Sequence, residues 1–114
     1  MVLVRRDQEV GEVYFYQATG RVLTGHCYLS IRESTCNLYD VKVFPVYRGL
    51  GEGKRMIQAV VREALDSPHL TTIYLSAHER NYRARHIYQL SGFIQDPVDT
   101  LDMFLDLETM RKTQ

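Results

Sequence analysis

"FPVYRGLGEGKRM", residues 44–56, gathers three glycines, Gly49, Gly51 and Gly53, between Arg48 and Lys54. Downstream, Ile57, Val61 and Leu65 recur every fourth position with Met56, Val60 and Ala64 beside them, while Lys54, Arg55, Arg62 and Glu63 fall largely outside the stripe. This spacing predicts an amphipathic helix over 51–65. Glycine is needed where backbone adopts φ > 0 or approaches a ligand closely. The first N–H groups of a helix have no intrahelical partner, and the macrodipole adds positive potential there. A strand, a glycine loop and a helix start in succession therefore predict an anion cradle. Phosphate is its usual occupant, and Arg48 and Lys54 add charge.

Upstream, the period is that of strands. Residues 2–5, "EVYFYQ" (12–17), "VLTGHCYLSIR" (22–32) and "NLYDVKVF" (37–44) are β candidates rich in aromatic and β-branched residues, and they form an antiparallel meander that Pro45 ends. Within 37–44, Leu38, Asp40 and Lys42 alternate with Tyr39, Val41 and Val43, and the Tyr/Val set is expected to face the apolar layer. Downstream of the helix, "TTIYLSA" (71–77) reads as a buried strand. "ERNYRARHIYQLSGF" (79–93) reads as a helix starting near Asn81 and stopped by Gly92, and "FIQDPV" with "LDMFLDL" (101–107) as a final hairpin. The order β-β-β-β-α-β-α-β-β predicts an α/β (α+β) fold: a mixed, mainly antiparallel sheet with two main helices packed on it.

With 114 residues, 45% of them hydrophobic, the chain suits one domain over 1–114. Fourteen basic residues balance fourteen acidic ones, which argues against broad, charge-driven binding to nucleic acid or membrane. No apolar run approaches the ~20 residues of a membrane span. Two cysteines, Cys27 and Cys36, make neither a disulfide framework nor a metal quartet, so no metal is expected. They read as reduced thiols of a cytoplasmic protein, with a Cys27–Cys36 bridge between neighbouring strands as the minor reading.

Spacing excludes the two common phosphate loops. A Walker loop needs G-x-x-x-x-G-K-[S/T], but Gly49 and Gly53 stand too close and Met56 offers no hydroxyl. A dinucleotide fingerprint needs G-x-G-x-x-G, and this loop reads G-x-G-x-G. What fits is R-x-x-G-x-G, Arg48 through Gly53, after "VKVFP" and before a helix. This resembles the acetyl-CoA pyrophosphate loop of the Gcn5-related N-acetyltransferase (GNAT) superfamily. "NYRARHIYQLSGF" is similar to the family's other motif through Asn81, Ala84, Tyr88, Gly92 and Phe93, and "LDMFLDL" to its last strand. The resemblance covers roughly residues 22–107.

The resemblance implies a GNAT-like fold, acetyl-CoA as co-substrate and transfer of its acetyl group to an amine. It implies that Val41, Lys42 and Val43 line the pantetheine arm, with a backbone N–H there polarising the thioester carbonyl. It implies that Arg48, Gly49, Leu50, Gly51, Glu52, Gly53 and Lys54 hold the pyrophosphate, largely through backbone amides. Asn81 would contact the CoA arm, cap its helix, or do both. Tyr88 would be the general acid that protonates the leaving thiolate, which is otherwise a core aromatic position. The positions where family members often carry a glutamate base hold Asn37 and Ser76. By proximity the base candidates are His26, Asp40, His78 and Glu79, or a water chain from Tyr39 or the Ser76 backbone. Tyr39 is also placed to line the acceptor channel. Glu52 occupies a usually apolar loop position and is expected to turn outward, away from phosphate.

Family domains usually place two helices between their first two strands, and here only "RRDQEVG" (5–11) separates them. The acceptor side is therefore expected to be open, which suits a macromolecular amine such as a protein lysine or N-terminus. A partner subunit, including a second copy in a homodimer, would equally supply the missing wall. The deletion is similar to that of certain phage-encoded inhibitors of bacterial defence, pared-down acetyltransferases that modify a host protein. Two other readings stand beside protein acetylation: a catalytically silent CoA-binding or protein-interaction domain, and an acetyltransferase of small amines, against which the missing wall counts.

Overall fold

The computed structural model describes residues 1–113. They form β1 (Val2–Asp7), β2 (Glu12–Thr19), β3 (Val22–Arg32), β4 (Thr35–Val43), α1 (Glu52–Leu65), β5 (Thr72–Ser76), α2 (Tyr82–Leu90), β6 (Ile94–Gln95), β7 (Asp102–Asp106) and α3 (Leu107–Lys112). A single 3₁₀ turn at Pro45–Tyr47 joins β4 to the glycine loop. The strands make one seven-stranded sheet in the order β1-β2-β3-β4-β5-β7-β6. Every neighbouring pair is antiparallel except β4 and β5. The expected meander, both main helices and the closing hairpin are all present. β7 slots between β5 and β6, and the chain ends in α3, a helix the strand-like pattern of 101–107 conceals. Asp106 starts it, its carboxylate accepting from the amides of Glu108 and Thr109 at 3.0 and 3.2 Å.

Both crossovers, β4-α1-β5 and β5-α2-β6, join parallel strands and step the same way across the sheet. The right-handed rule therefore puts α1 and α2 on one face. A single core agrees: Met56, Ile57, Val60 and Ala64 of α1, Tyr88 of α2 and Leu107 of α3 pack with Phe15, Leu29, Cys36, Ile73 and Met103 from the strands. The opposite face of the sheet, which carries Tyr14, Tyr28, Tyr39, Tyr74 and Phe104, has no helix over it among the described residues. Between β1 and β2 stands only a turn over 8–11, so the connection is a hairpin. No helix among the described residues is long and apolar enough to cross a membrane.

Arg111 fastens the far end of α1. Its guanidinium donates to the carbonyls of Ala64 (3.1 Å) and Leu65 (3.4 Å) in the last turn of α1, where the macrodipole favours a cation, and of Ser67 (2.9 Å) and Leu70 (2.6 Å) in the turn that follows. Arg111→Ala is expected to lower stability by about 2 kcal/mol, because several half-buried carbonyls lose a charged donor. Urea unfolding checks this, and an unchanged midpoint would make the contact incidental.

The β3–β4 ladder corrects one expectation. His26 pairs with Lys42 and Tyr28 with Tyr39, so Asp40 and Val41 together face Cys27. This is a β-bulge, and Asp40 sits in it at φ 54°. One extra residue switches the alternation. Leu38 enters the core, Tyr39 turns to the open face at 46% exposure, and only beyond the bulge do Val41 and Val43 face inward.

Candidate active site

β4 and β5 pair only at Thr35–Thr72, Cys36–Ile73 and Asn37–Tyr74. Beyond Asn37 the two strands part, and the β5-facing edge of β4 has no strand partner. The wedge continues into a cleft of about 630 Å³ running from the splayed strands past the glycine loop. A second hollow of about 970 Å³ along the solvent side of α1 contains neither Tyr88 nor the loop glycines. The residues singled out in the sequence therefore gather around the first.

Val41, Lys42, Val43, Arg48, Gly49, Gly51, Glu52, Gly53, Lys54, Asn81 and Tyr88 all line that cleft. Leu50 does not, being 60% exposed, and only its backbone belongs to the loop. Gly49 and Gly51 hold φ of 83° and 82°, which a residue with a Cβ rarely adopts. Gly51 is the N-cap of α1, and the first helical amide with a partner is that of Arg55, which reaches the Gly51 carbonyl at 3.1 Å. The amides from Gly49 to Lys54 have no acceptor among the described residues, and all but that of Leu50 belong to residues that line the cleft. Arg48 adds charge at the rim, anchored through Nε to the Val43 carbonyl at 3.0 Å.

Asn81 caps α2, its side-chain oxygen accepting from the Ala84 amide at 3.4 Å, and it faces the cleft as well. Tyr88 is 6% exposed, with its ring 6.0 Å from that of Phe93. Burial first, and the Cys27 thiol second, push its phenol up to about 12. Burial pushes Cys27 up to about 12, helped by the Asp40 carboxylate, and Cys36 up to about 12 by itself. Both thiols are buried and free. These three groups hold their protons more tightly folded than unfolded. Their contribution is thus intact below pH ~9 and is lost as pH climbs towards about 12. The melting temperature is expected to fall over that window, and less steeply in Cys27→Ala/Cys36→Ala; identical slopes would refute the assignment.

Glu52 contradicts the expectation of an outward carboxylate. It is 7% exposed, accepts from Gln17 Nε2 and from Thr19 Oγ1 (3.2 Å) on β2, and lies 3.7 Å from Arg55 Nη1. The loop is thereby tied to the sheet, and the charge is held by donors on the far side of the helix start. Glu52→Ala strips the buried Gln17 amide and the exposed Thr19 hydroxyl of their acceptor and is expected to cost about 2 kcal/mol of stability, while Glu52→Gln costs less. Equal denaturation midpoints for the two variants would remove this role.

None of the four base candidates lines the cleft. His26 and Asp40 stand together on the open face: Nδ1 of His26 lies 3.1 Å from the Asp40 carbonyl and 3.4 Å from its carboxylate. His78 accepts from the Arg80 amide at 3.1 Å, and Glu79 accepts from the Thr100 hydroxyl. Asn37 pairs with Tyr74, and Ser76 donates to Asp102 at 2.7 Å. Tyr47, Ile57, Arg83, Ala84 and Ile87 complete the cleft. Ala84 and Ile87 were within reach of spacing, since they flank Tyr88 on its helix; Tyr47 and Arg83 carry no such signal. Among the described residues no cluster of His, Cys, Asp or Glu could hold a metal.

The sequence profile of the acetyltransferase (GNAT) family matches residues 3–93. The chain belongs to that family. Solved GNAT structures share the fold. The PaiA N-acetyltransferase of Thermoplasma acidophilum, in complex with coenzyme A, aligns at 18% identity over 87% of this chain and 63% of its own, with a TM-score of 0.75. The ribosomal-protein-S18-alanine N-acetyltransferase of Escherichia coli aligns at 16% identity over 85% of this chain and 70% of its own, TM-score 0.76. A spermidine N-acetyltransferase SpeG chimera from Vibrio cholerae and hSSAT aligns at 19% over 90% and 70%, TM-score 0.75. The present chain thus spans 63% to 70% of the length of these GNAT proteins.

Proposed function

We propose that this GNAT domain transfers the acetyl group of acetyl-CoA to a primary amine carried by a protein. The observation that carries the reading is the meeting, in one cleft, of an unpaired strand edge, a row of free loop amides and a buried phenol. The loop amides and Arg48 suit a diphosphate, and the cleft volume admits an extended pantetheine arm. Backbone N–H groups of β4 near Val43 would stabilise negative charge developing on the thioester oxygen. The amine nitrogen forms its bond to the carbonyl carbon, the carbon–sulfur bond breaks, and Tyr88 gives its proton to the departing sulfur. The proton released by the amine leaves to water on the open face, and a water proton restores Tyr88.

A protein acceptor is favoured over a small amine because the β1–β2 hairpin leaves the sheet's other face open, where a small amine would find no enclosing wall. The retained phenol favours an enzyme over a silent binder. Calorimetry with coenzyme A tests the cradle. Incubation with acetyl-CoA and a panel of lysine-containing and free-N-terminal polypeptides, read by thiol release and mass spectrometry, tests transfer. Binding of coenzyme A without any acetylated product would leave the silent domain as the better reading, and product only with free polyamines would replace the protein acceptor.

A further inference from the structure

The open sheet face carries a row of rings that ends at the mouth of the wedge. Tyr14 pairs across strands with Tyr28, and Tyr28 with Tyr39, with ring centroids 5.6 and 5.4 Å apart. Two rings of this face already hold a cation of the chain itself: Arg5 Cζ stands 4.8 Å over Tyr14, and Lys42 Nζ stands 6.0 Å from the centre of Phe44. Between them the Tyr28–Tyr39 pair holds none. Beside that pair the bulge projects Asp40, whose side chain is 65% exposed and has one ion-pair partner among the described residues, His26 at 3.4 Å. At the closed end of the wedge, still paired with Asn37, stands Tyr74, 39% exposed and tilted against Phe104 with centroids 6.3 Å apart.

We infer that the Tyr28–Tyr39 pair and the Asp40 carboxylate form the docking site for the acceptor's ammonium group, presented by a lysine side chain of an extended polypeptide. This rests on the acetyl-transfer reading, which brings the amine to the wedge from the face opposite Tyr88. The charge argument is direct. π faces and a carboxylate attract a cation, and the cations nearby, Arg5 and Lys42, are engaged on other rings. Tyr39 stands where β4 leaves β5, so an ammonium held there is one strand position from Val41 and the gap. The site is shallow, so a lone amine gains little on it. A polypeptide adds contacts along the exposed Tyr39 and Tyr74, beside the wedge and at its closed end.

The test is an NMR titration of ring-labelled tyrosines with a capped Gly-Gly-Lys-Gly-Gly peptide and its norleucine counterpart, with coenzyme A titrated into the same sample. The lysine peptide is expected to shift the Tyr28 and Tyr39 rings and the norleucine peptide to leave them in place. Asp40→Asn, which tolerates the positive φ of the bulge, and Tyr39→Leu are each expected to weaken peptide binding about tenfold while coenzyme A affinity stays unchanged. Equal shifts with both peptides, or shifts confined to other tyrosines, overturn the site. Coenzyme A binding with no tyrosine shift also removes the docking site but leaves the transfer reading standing; tyrosine shifts without coenzyme A binding do the reverse.

Discussion

Gly51→Asp lowers the affinity for coenzyme A more than about 100-fold while leaving the fold in place. Space is not the obstacle, since a Cβ at this position would meet only the Arg55 guanidinium, at 3.6 to 3.8 Å. Two other terms act. At φ 82° an L-residue carries a strain of about 1 kcal/mol, least for Asp and Asn. The new carboxylate stands among the free amides, and at ~5 Å from a phosphate charge with an effective dielectric of ~20 it adds about 3 kcal/mol of repulsion. The strain is carried by free and bound protein alike and so lowers stability, whereas the repulsion acts on the bound state alone and by itself exceeds a hundredfold. Gly51→Ala, which keeps the strain without the charge, is expected to lower stability by about 1 kcal/mol while affinity stays nearly unchanged. Calorimetry on both variants checks the ordering, with melting temperature as the control for folding. Retained affinity in Gly51→Asp would remove the loop from the phosphate site.

The contrast with Glu52, one residue on, shows that a carboxylate at this helix start is not in itself disqualifying. Its charge is committed to Gln17, Thr19 and Arg55, whereas an aspartate at 51 would reach only the exposed Arg55 guanidinium, already shared with Glu52 and the Leu50 carbonyl, and no donor on the sheet. The difference was hidden from the sequence because Gln17 lies 35 residues upstream, on a strand whose register decides that it faces α1. Local signals behaved differently. The four-residue apolar repeat after Gly53 located α1, and the aromatic and β-branched runs located the first four strands, because those patterns answer to neighbours along the chain. Asp40 marks the limit of such reasoning. Alternation is a sound rule for a strand until one inserted residue reverses it, and nothing in "NLYDVKVF" announces a bulge at Asp40. That single residue decides that Tyr39 meets solvent and Val41 the cleft.

The cleft itself was legible for a related reason. Gly49 and Gly51 hold positive φ, which favours glycine, and Asn81 and Tyr88 are the cap and the inner face of one helix, so local signals bring these residues to one cleft. The base was not legible, and the geometry explains why. Asn37 and Ser76 carry no carboxylate, and His26 with Asp40 is turned to the open face on the other side of β4.

Tyr88→Phe is expected to reduce kcat by roughly 10²–10⁴ with little change in the affinity for acetyl-CoA. The ring is what packs: it sits against Phe93 in the core, and phenylalanine fills the same volume. The hydroxyl makes no hydrogen bond to any described group, so its removal leaves no partner stranded and stability should hold. What disappears is the proton for the sulfur. Burial and the neighbouring thiol push this phenol up to about 12, so it stays protonated well above neutral pH. The wild-type kcat should therefore show no alkaline fall from Tyr88 up to pH ~10, and any limb below that pH reports the amine or its base. A variant that binds acetyl-CoA normally and releases thiol slowly assigns Tyr88 to the leaving group. Comparable losses in affinity and rate would instead make it a wall of the cleft, and full activity would move proton delivery to water.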